Sequence, residues 1–182
     1  MLSKEPQWVA VYTSSRAEKQ VCRRLTEMGV ENYVPMRRVR HRWSDRVKIV
    51  EEPLITSYVF ARIKDVQVVP VRELDGVVWL VSFHGEVATI PDEQIDAMRQ
   101  FVESEKAIAI YETSRLREGA TVMVMDGPFE GRKGVIISDC EGGNFAIRID
   151  ALSISLVVYI DQNLLHVCQK DKKSKGLFHK ND

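Results

Sequence analysis

The apolar and polar positions follow two rhythms. Trp8-Val9-Ala10-Val11-Tyr12 is a β-branched and aromatic run, which predicts a strand buried on at least one face. After Ser15 the period lengthens. Ala17, Val21, Leu25 and Met28 recur at helical spacing, Glu18 stands three residues beyond Ser15 as in a capping box, and Gly29 supplies the stop. The opposite face of this helix holds Arg16, Lys19, Gln20, Arg23 and Arg24. Residues 31–34 read as a second strand ended by Pro35. Residues 37–48 fit a β-hairpin better than a helix, because Val39 and Val47-Lys48-Ile49-Val50 favour extended backbone, with Trp43-Ser44-Asp45-Arg46 as the turn. Over 57–63, Tyr58, Phe60 and Arg62 alternate with Val59, Ala61 and Ile63, the period of a strand with two unlike faces. A short helix over 66–74 is limited by Pro70, and 77–83 and 87–90 read as strands. Pro91-Asp92-Glu93 then opens a second clear helix, with Ile95, Met98, Phe101 and Val102 at helical spacing. This order predicts an α+β sandwich over 7–103, its helices packed on a mostly antiparallel sheet.

Beyond it the pattern changes. Residues 104–116 read as a linker, and from 117 the rhythm is all β. Val122 and Val124 alternate, Gly127-Pro128 and Gly131 mark turns, Gly134-Val135-Ile136-Ile137 is a strand and Glu141-Gly142-Gly143-Asn144 a hairpin turn. Two further strands near 145–149 and 154–160 make a small closed barrel the expected architecture for 117–168. The last stretch, 169–182, has five lysines and little to bury, so a disordered basic tail is expected.

Composition narrows the class. The chain has 182 residues, 45% of them apolar and 29% charged, enough to bury a core and unlike a disordered chain. No run approaches the about 20 apolar residues of a membrane helix, and the first residues lack a signal-peptide core. Cys22, Cys140 and Cys168 are widely spaced and odd in number, which fits neither a disulfide framework nor a zinc site. The expectation is a cytoplasmic protein without membrane association. The balance of 26 basic and 26 acidic residues hides an asymmetry. Residues 1–50 carry eleven Lys/Arg against five Asp/Glu, whereas 51–114 carry five against twelve. Part of the first domain should therefore attract polyanions.

Two local signatures are more specific. One is the stretch from Gly119 through Val122, Val124, Asp126-Gly127-Pro128-Phe129 and Gly131 to Gly134-Val135, whose spacing resembles a KOW motif of small SH3-like barrels. The other is Glu51-Glu52-Pro53-Leu54-Ile55-Thr56-Ser57-Tyr58-Val59-Phe60, downstream of Trp8-Val9-Ala10-Val11-Tyr12. That pair resembles the amino-terminal (NGN) domain of the NusG/Spt5 family of transcription elongation factors. Both signatures, in this order, cover roughly residues 7–167. Val34-Pro35-Met36 and Glu52-Pro53-Leu54 resemble the specialised antiterminators of the RfaH and UpxY kind, the latter associated with capsular polysaccharide operons. Ile55-Thr56-Ser57 departs from the usual Phe-Pro-(Gly/Asn), and Ile149-Asp150-Ala151-Leu152 replaces the Phe-Gly-Arg element that meets Rho or a ribosomal protein.

The resemblance implies a factor that grips the clamp coiled coil of RNA polymerase through an apolar depression. Trp8, Tyr12, Leu54, Ile55, Tyr58 and Phe60 are its candidate lining or support; the alternative is that they are simply core. It also implies contact between the basic helix face, Arg16, Lys19, Arg23 and Arg24, and the non-template DNA strand. The alternative there is a solvated face. Arg37, Arg38, Arg40, Arg42, Arg46 and Lys48, with His41 and Trp43 among them, extend the basic candidates toward nucleic acid or an acidic polymerase surface. The barrel would recruit a second partner through loops 126–129 and 150–153. A general RNA-binding or ribosome-associated KOW protein is the rival reading. His84, His166 and His179 are isolated, the glycines of 127–134 lack a closing Gly-Lys-Ser/Thr, and neither a nucleophile–base pair nor a metal cluster stands out. No cofactor and no catalysis are expected.

Overall fold

A computed structural model describes residues 2, 4–42, 47–104, 108–112, 118–137, 144–149, 152–159 and 164–169. The Trp43 turn, Arg46, the hairpin turn at 141–143, residues 150 and 151 of the second barrel loop and the lysine-rich tail lie outside them. The chain divides into two compact units, the first built on Met1–Val102 and the second on Glu103–Ile149 and Ser153–Asp182.

The first unit runs β1 (Gln7–Thr13), α1 (Glu18–Glu27), β2 (Glu31–Tyr33), β3 (Met36–Arg42), β4 (Val47–Pro53), β5 (Tyr58–Ile63), α2 (Val68–Arg72), β6 (Val77–Leu80), β7 (Ser82–Phe83), β8 (Glu86–Val87), β9 (Thr89–Ile90) and α3 (Asp92–Glu103). Its main sheet has the order β2-β5-β1-β6, with β9 also on β1, and every pairing is antiparallel. β3 and β4 pair with each other as a separate ribbon, as expected from 37–48.

Register sorts the side chains of β1 and β5. Val9 lies opposite Ala61 and Val11 opposite Val59; these, with Ile63 and Leu80, pack with Val21 and Leu25 of α1 and Val71 of α2. Val21 and Leu25 are fully buried, each worth about 1.5–3 kcal/mol of burial. The other face carries Trp8 opposite Arg62, Ala10 opposite Phe60 and Tyr12 opposite Tyr58. Arg99 of α3 sits over both the Trp8 ring (5.5 Å) and the Tyr33 ring (5.3 Å), marking where α3 covers that face. Ion pairs of Arg99 with Glu31, and of Arg62 with Glu31 and Asp92, tie the same helix to β2 and β5.

Helix α1 ends as Gly29 requires. The Val30 N–H donates to Leu25 O and the Gly29 N–H to Thr26 O, a Schellman closure with Gly29 at φ +70°. Its start differs from the sequence expectation. The helix begins at Glu18 with Ala17 as the capping residue and no side-chain cap, so the Ser15/Glu18 capping box does not form. The Glu18 carboxylate is used elsewhere.

The second unit is all β: β10 (Ile108–Glu112), β11 (Glu118–Val124), β12 (Lys133–Ile137), β13 (Asn144–Ile149), β14 (Ile154–Tyr159) and β15 (Leu165–Gln169). These form one antiparallel path, β10-β14-β13-β12-β11-β15. β10, within the segment read as linker, pairs along its whole length with β14. Val122, Val124, Phe129, Leu156 and Val157 are buried. At the β11–β12 turn the Gly131 N–H donates to Val124 O, and Phe129 folds under, so of loop 126–129 only Asp126, Gly127 and Pro128 are exposed.

Candidate functional site

The aromatic side of the first sheet is sealed at one end and open at the other. Trp8 and Phe60 are buried, as are Leu54 and Ile55 in the turn that leads into β5. Four of the six residues assigned to the depression are therefore core and do not line an open surface. Tyr12 and Tyr58 are half-buried, with ring centroids 5.2 Å apart in an edge-to-face contact. Trp79 on β6 completes the group: it stacks on Tyr12 at 4.3 Å with planes 14° apart, and it is 51% exposed. Such pairs are worth about 0.5–1.5 kcal/mol beyond their buried area. The result is an accessible platform of three rings, Tyr58, Tyr12 and Trp79, growing out of the core. Burial, and secondarily the neighbouring Tyr12, pushes the Tyr58 hydroxyl above its ordinary value.

Sequence reading missed Trp79. The run 77–83 was legible as a strand, but only the pairing of Trp79 with Tyr12 and of Leu80 with Val11 puts its ring on the aromatic side.

The turn before Tyr58 is held by three bonds. Leu54 N–H donates to Pro35 O at 2.7 Å, Thr13 N–H donates to Ser57 O at 2.9 Å, and Ser57 N–H donates to Glu18 Oε1 at 2.7 Å. Ser57 itself is left-handed, at φ +62°.

The basic residues separate into two surfaces and one structural group. Arg16 is exposed but lies in the turn before α1, at φ +64°, so it does not share the helix face expected for it. Lys19 and Arg23 are exposed on the start and middle of α1, Arg23 making only a loose pair with Glu27 at 3.7 Å. Arg24 is half-buried and already partnered at the surface: its guanidinium donates to the Asp75 carbonyl and pairs with the Asp75 carboxylate at 2.7 Å. On the ribbon, Arg37, Arg38, Arg40 and Lys48 are exposed, while the Arg42 side chain and all of Arg46 lie outside the described residues. The register brings acids to this segment: Glu52 faces Arg37 and Glu51 faces Arg38, with Arg38–Glu51 at 3.8 Å and His41–Glu52 at 2.7 Å. Arg38 and Arg40 share a face with Ile49, which is 59% exposed.

Among the described residues no group of three or more His, Cys, Asp and Glu is placed to hold a metal, and no described helix is long and apolar enough to cross a membrane. Burial lifts the Cys22 thiol to about 11, so at neutral pH it is a core thiol rather than a nucleophile.

Comparison with known proteins agrees with this architecture. The family described as transcription termination factor nusG matches residues 6–99, and the KOW motif matches 118–138. A solved structure concerned with domain interaction in Thermotoga maritima NusG is similar at 21% identity with a TM-score of 0.50, covering 90% of this chain and 98% of that one. The MjSpt4:Spt5 complex is matched in conformations A and B at 14% and 16% identity, each with a TM-score of 0.29, over 90% of this chain and 99% and 97% of those. No curated protein matches the chain. This combination of an NGN-type α+β unit and a KOW-bearing β unit defines a class of transcription factors, not of enzymes. The chain belongs to the NusG family.

Proposed function

We propose that the protein is an elongation factor that rides RNA polymerase and suppresses pausing or termination, as an operon-specific antiterminator of the capsular polysaccharide type, in the cytoplasm. The observation that carries this reading is the open platform of Tyr12, Tyr58 and Trp79 on a NusG-family domain. Rigid aromatic rings backed by a sealed core suit the side of a helix, because they bury large area with little loss of side-chain freedom. The clamp coiled coil of the polymerase would dock there, with Trp8, Leu54, Ile55 and Phe60 holding the platform from behind. Arg16 before α1, Lys19 and Arg23 on it, Arg37, Arg38, Arg40, Arg42 and Lys48 on the ribbon, and Arg46 between its strands in sequence, would lie along the non-template DNA strand, where phosphate contact is electrostatic and salt-dependent. Arg24 leaves that set. Bridging the clamp to the far side of the channel needs a bias of only about 1–3 kcal/mol to disfavour the paused state. The domain boundaries that go with this reading are 7–103 and 117–168, and the second domain takes a further protein partner through its exposed turn.

The test is read-through in vitro with purified core polymerase on a leader carrying a pause and a terminator. Tyr58→Ala and Trp79→Ala should abolish polymerase binding and read-through together, and Arg23→Ala should weaken recruitment only on templates with an exposed strand. Tight, salt-sensitive RNA binding with no polymerase complex would overturn this in favour of a general RNA-binding KOW protein.

A further inference from the structure

Glu18 is a charged side chain that the proposed docking does not use. It is 5% exposed, one of two buried polar or charged residues among those described. It begins α1, yet it makes no capping bond there; its carboxylate crosses to the turn before β5 and accepts from the Ser57 N–H at 2.7 Å. Ser57 needs such a restraint. A side chain with a Cβ at φ +62° sits in the left-handed region that serine disfavours. Thr13 holds the Ser57 carbonyl and Glu18 holds its amide, so both backbone groups are fixed, one from β1 and one from α1. The next residue is Tyr58, whose ring contacts Tyr12 edge-on.

We propose that Glu18 is a positioning residue: its buried carboxylate fastens Ser57 in the left-handed conformation and thereby sets the Tyr58 ring against Tyr12 to form the helix-docking platform. This rests on the docking role assigned to those rings. An acceptor that reaches a partly buried backbone amide satisfies it whether charged or neutral, and removing that acceptor leaves a costly orphan. The alternative use of Glu18, as a negative charge opposing the positive end of the helix, requires charge but not reach.

Three variants separate these roles. Glu18→Gln keeps an oxygen at the same reach and loses the charge; Glu18→Asp keeps the charge and withdraws it by one methylene; Glu18→Ala removes both. Amide exchange at Ser57, followed by NMR in the full chain, should stay close to wild type in Glu18→Gln. It should quicken by about tenfold or more in Glu18→Asp and Glu18→Ala. Affinity for purified core polymerase should follow the same order. Protection retained in Glu18→Asp and lost in Glu18→Gln would assign the residue to helix charge and overturn the proposal, and so would a Ser57 amide unaffected in both. If Glu18→Ala does not fold, the Gln and Asp pair still decides. Tyr58→Ala runs in parallel: should it leave polymerase binding intact, the docking role fails, while the exchange data judge the fastening of Ser57 independently.

Discussion

Arg24 and Asp75 clasp the turn that launches β6 onto the back of α1. One guanidinium nitrogen lies 2.7 Å from the Asp75 carboxylate and the other bonds its carbonyl, while the neighbouring Gly76 carbonyl accepts from Ser14 N–H at 2.9 Å. Asp75 is mostly exposed, so the ion pair itself is worth little. In a double-mutant cycle read by urea unfolding, Arg24→Ala and Asp75→Ala should couple by about 0.5–1 kcal/mol. Single-stranded DNA affinity should change less in Arg24→Ala than in Arg23→Ala.

Gly76 is required at the same turn for two reasons. Its φ is +93°, and an added Cβ would lie 3.0 Å from Val21 Cγ2 and 3.3 Å from Ala17 Cβ, both beside the start of α1. Gly76→Ala should therefore cost about 1–3 kcal/mol, seen as a lower urea midpoint with an unchanged slope. Gly29→Ala, with open space at its Cβ, should show the backbone cost alone.

Phe60 and Trp79 lie on the same side of the sheet and should respond differently. Phe60 is fully buried, so Phe60→Ala should lose about 3–5 kcal/mol and take polymerase binding with it. Trp79→Ala should lose about 1 kcal/mol or less of stability, the stacking on Tyr12, and still lose polymerase binding. Thermal melts beside pull-downs distinguish the two.

The exposed arginines should leave a mark on salt dependence. With single-stranded DNA, replacing Arg23 or Arg40 by alanine should lower the slope of log affinity against log salt by about 0.7 for each phosphate that is no longer neutralised. Arg38→Ala should lower it less, because Glu51 already stands 3.8 Å away.

Cys22 offers a pH test. Because burial raises its thiol from 9.0 to about 11, the thiolate is scarce across neutral pH and accumulates only as pH approaches 11. In a variant with Cys140 and Cys168 replaced by serine, alkylation of Cys22 should keep rising about tenfold per pH unit through pH 10. A plateau near pH 9 would contradict the burial.

The strongly periodic elements were legible from residues alone. The β1 run, the two-faced β5, Val21 and Leu25 of the α1 stripe and Ile95, Met98 and Phe101 of the α3 stripe are buried as read, whereas Ala17 and Met28, read with the α1 stripe, cap the helix at either end and Met28 is exposed. What escaped depends on residues distant in sequence. Glu18 satisfies a local capping pattern, but its hydrogen bond goes to Ser57, 39 positions away. Arg24 matches the solvated helix face until Asp75, 51 positions on, is brought beside it. Glu51 and Glu52 lie outside the window 37–48, where Asp45 is the one acid among the basic residues, and the hairpin register sets them across from Arg38 and Arg37. Phe129 sits in a glycine-rich turn that reads as exposed, yet it is buried.

On β1, Trp8 is interior and Tyr12, four residues on, is part of the accessible platform. The strand that anchors the hydrophobic interior thus also carries the proposed contact surface, with no seam between them. Divergence in partner choice within such a lineage would be steered to the margin, at Trp79 and Tyr58, where a ring can be exchanged without unsettling the foundation beneath it.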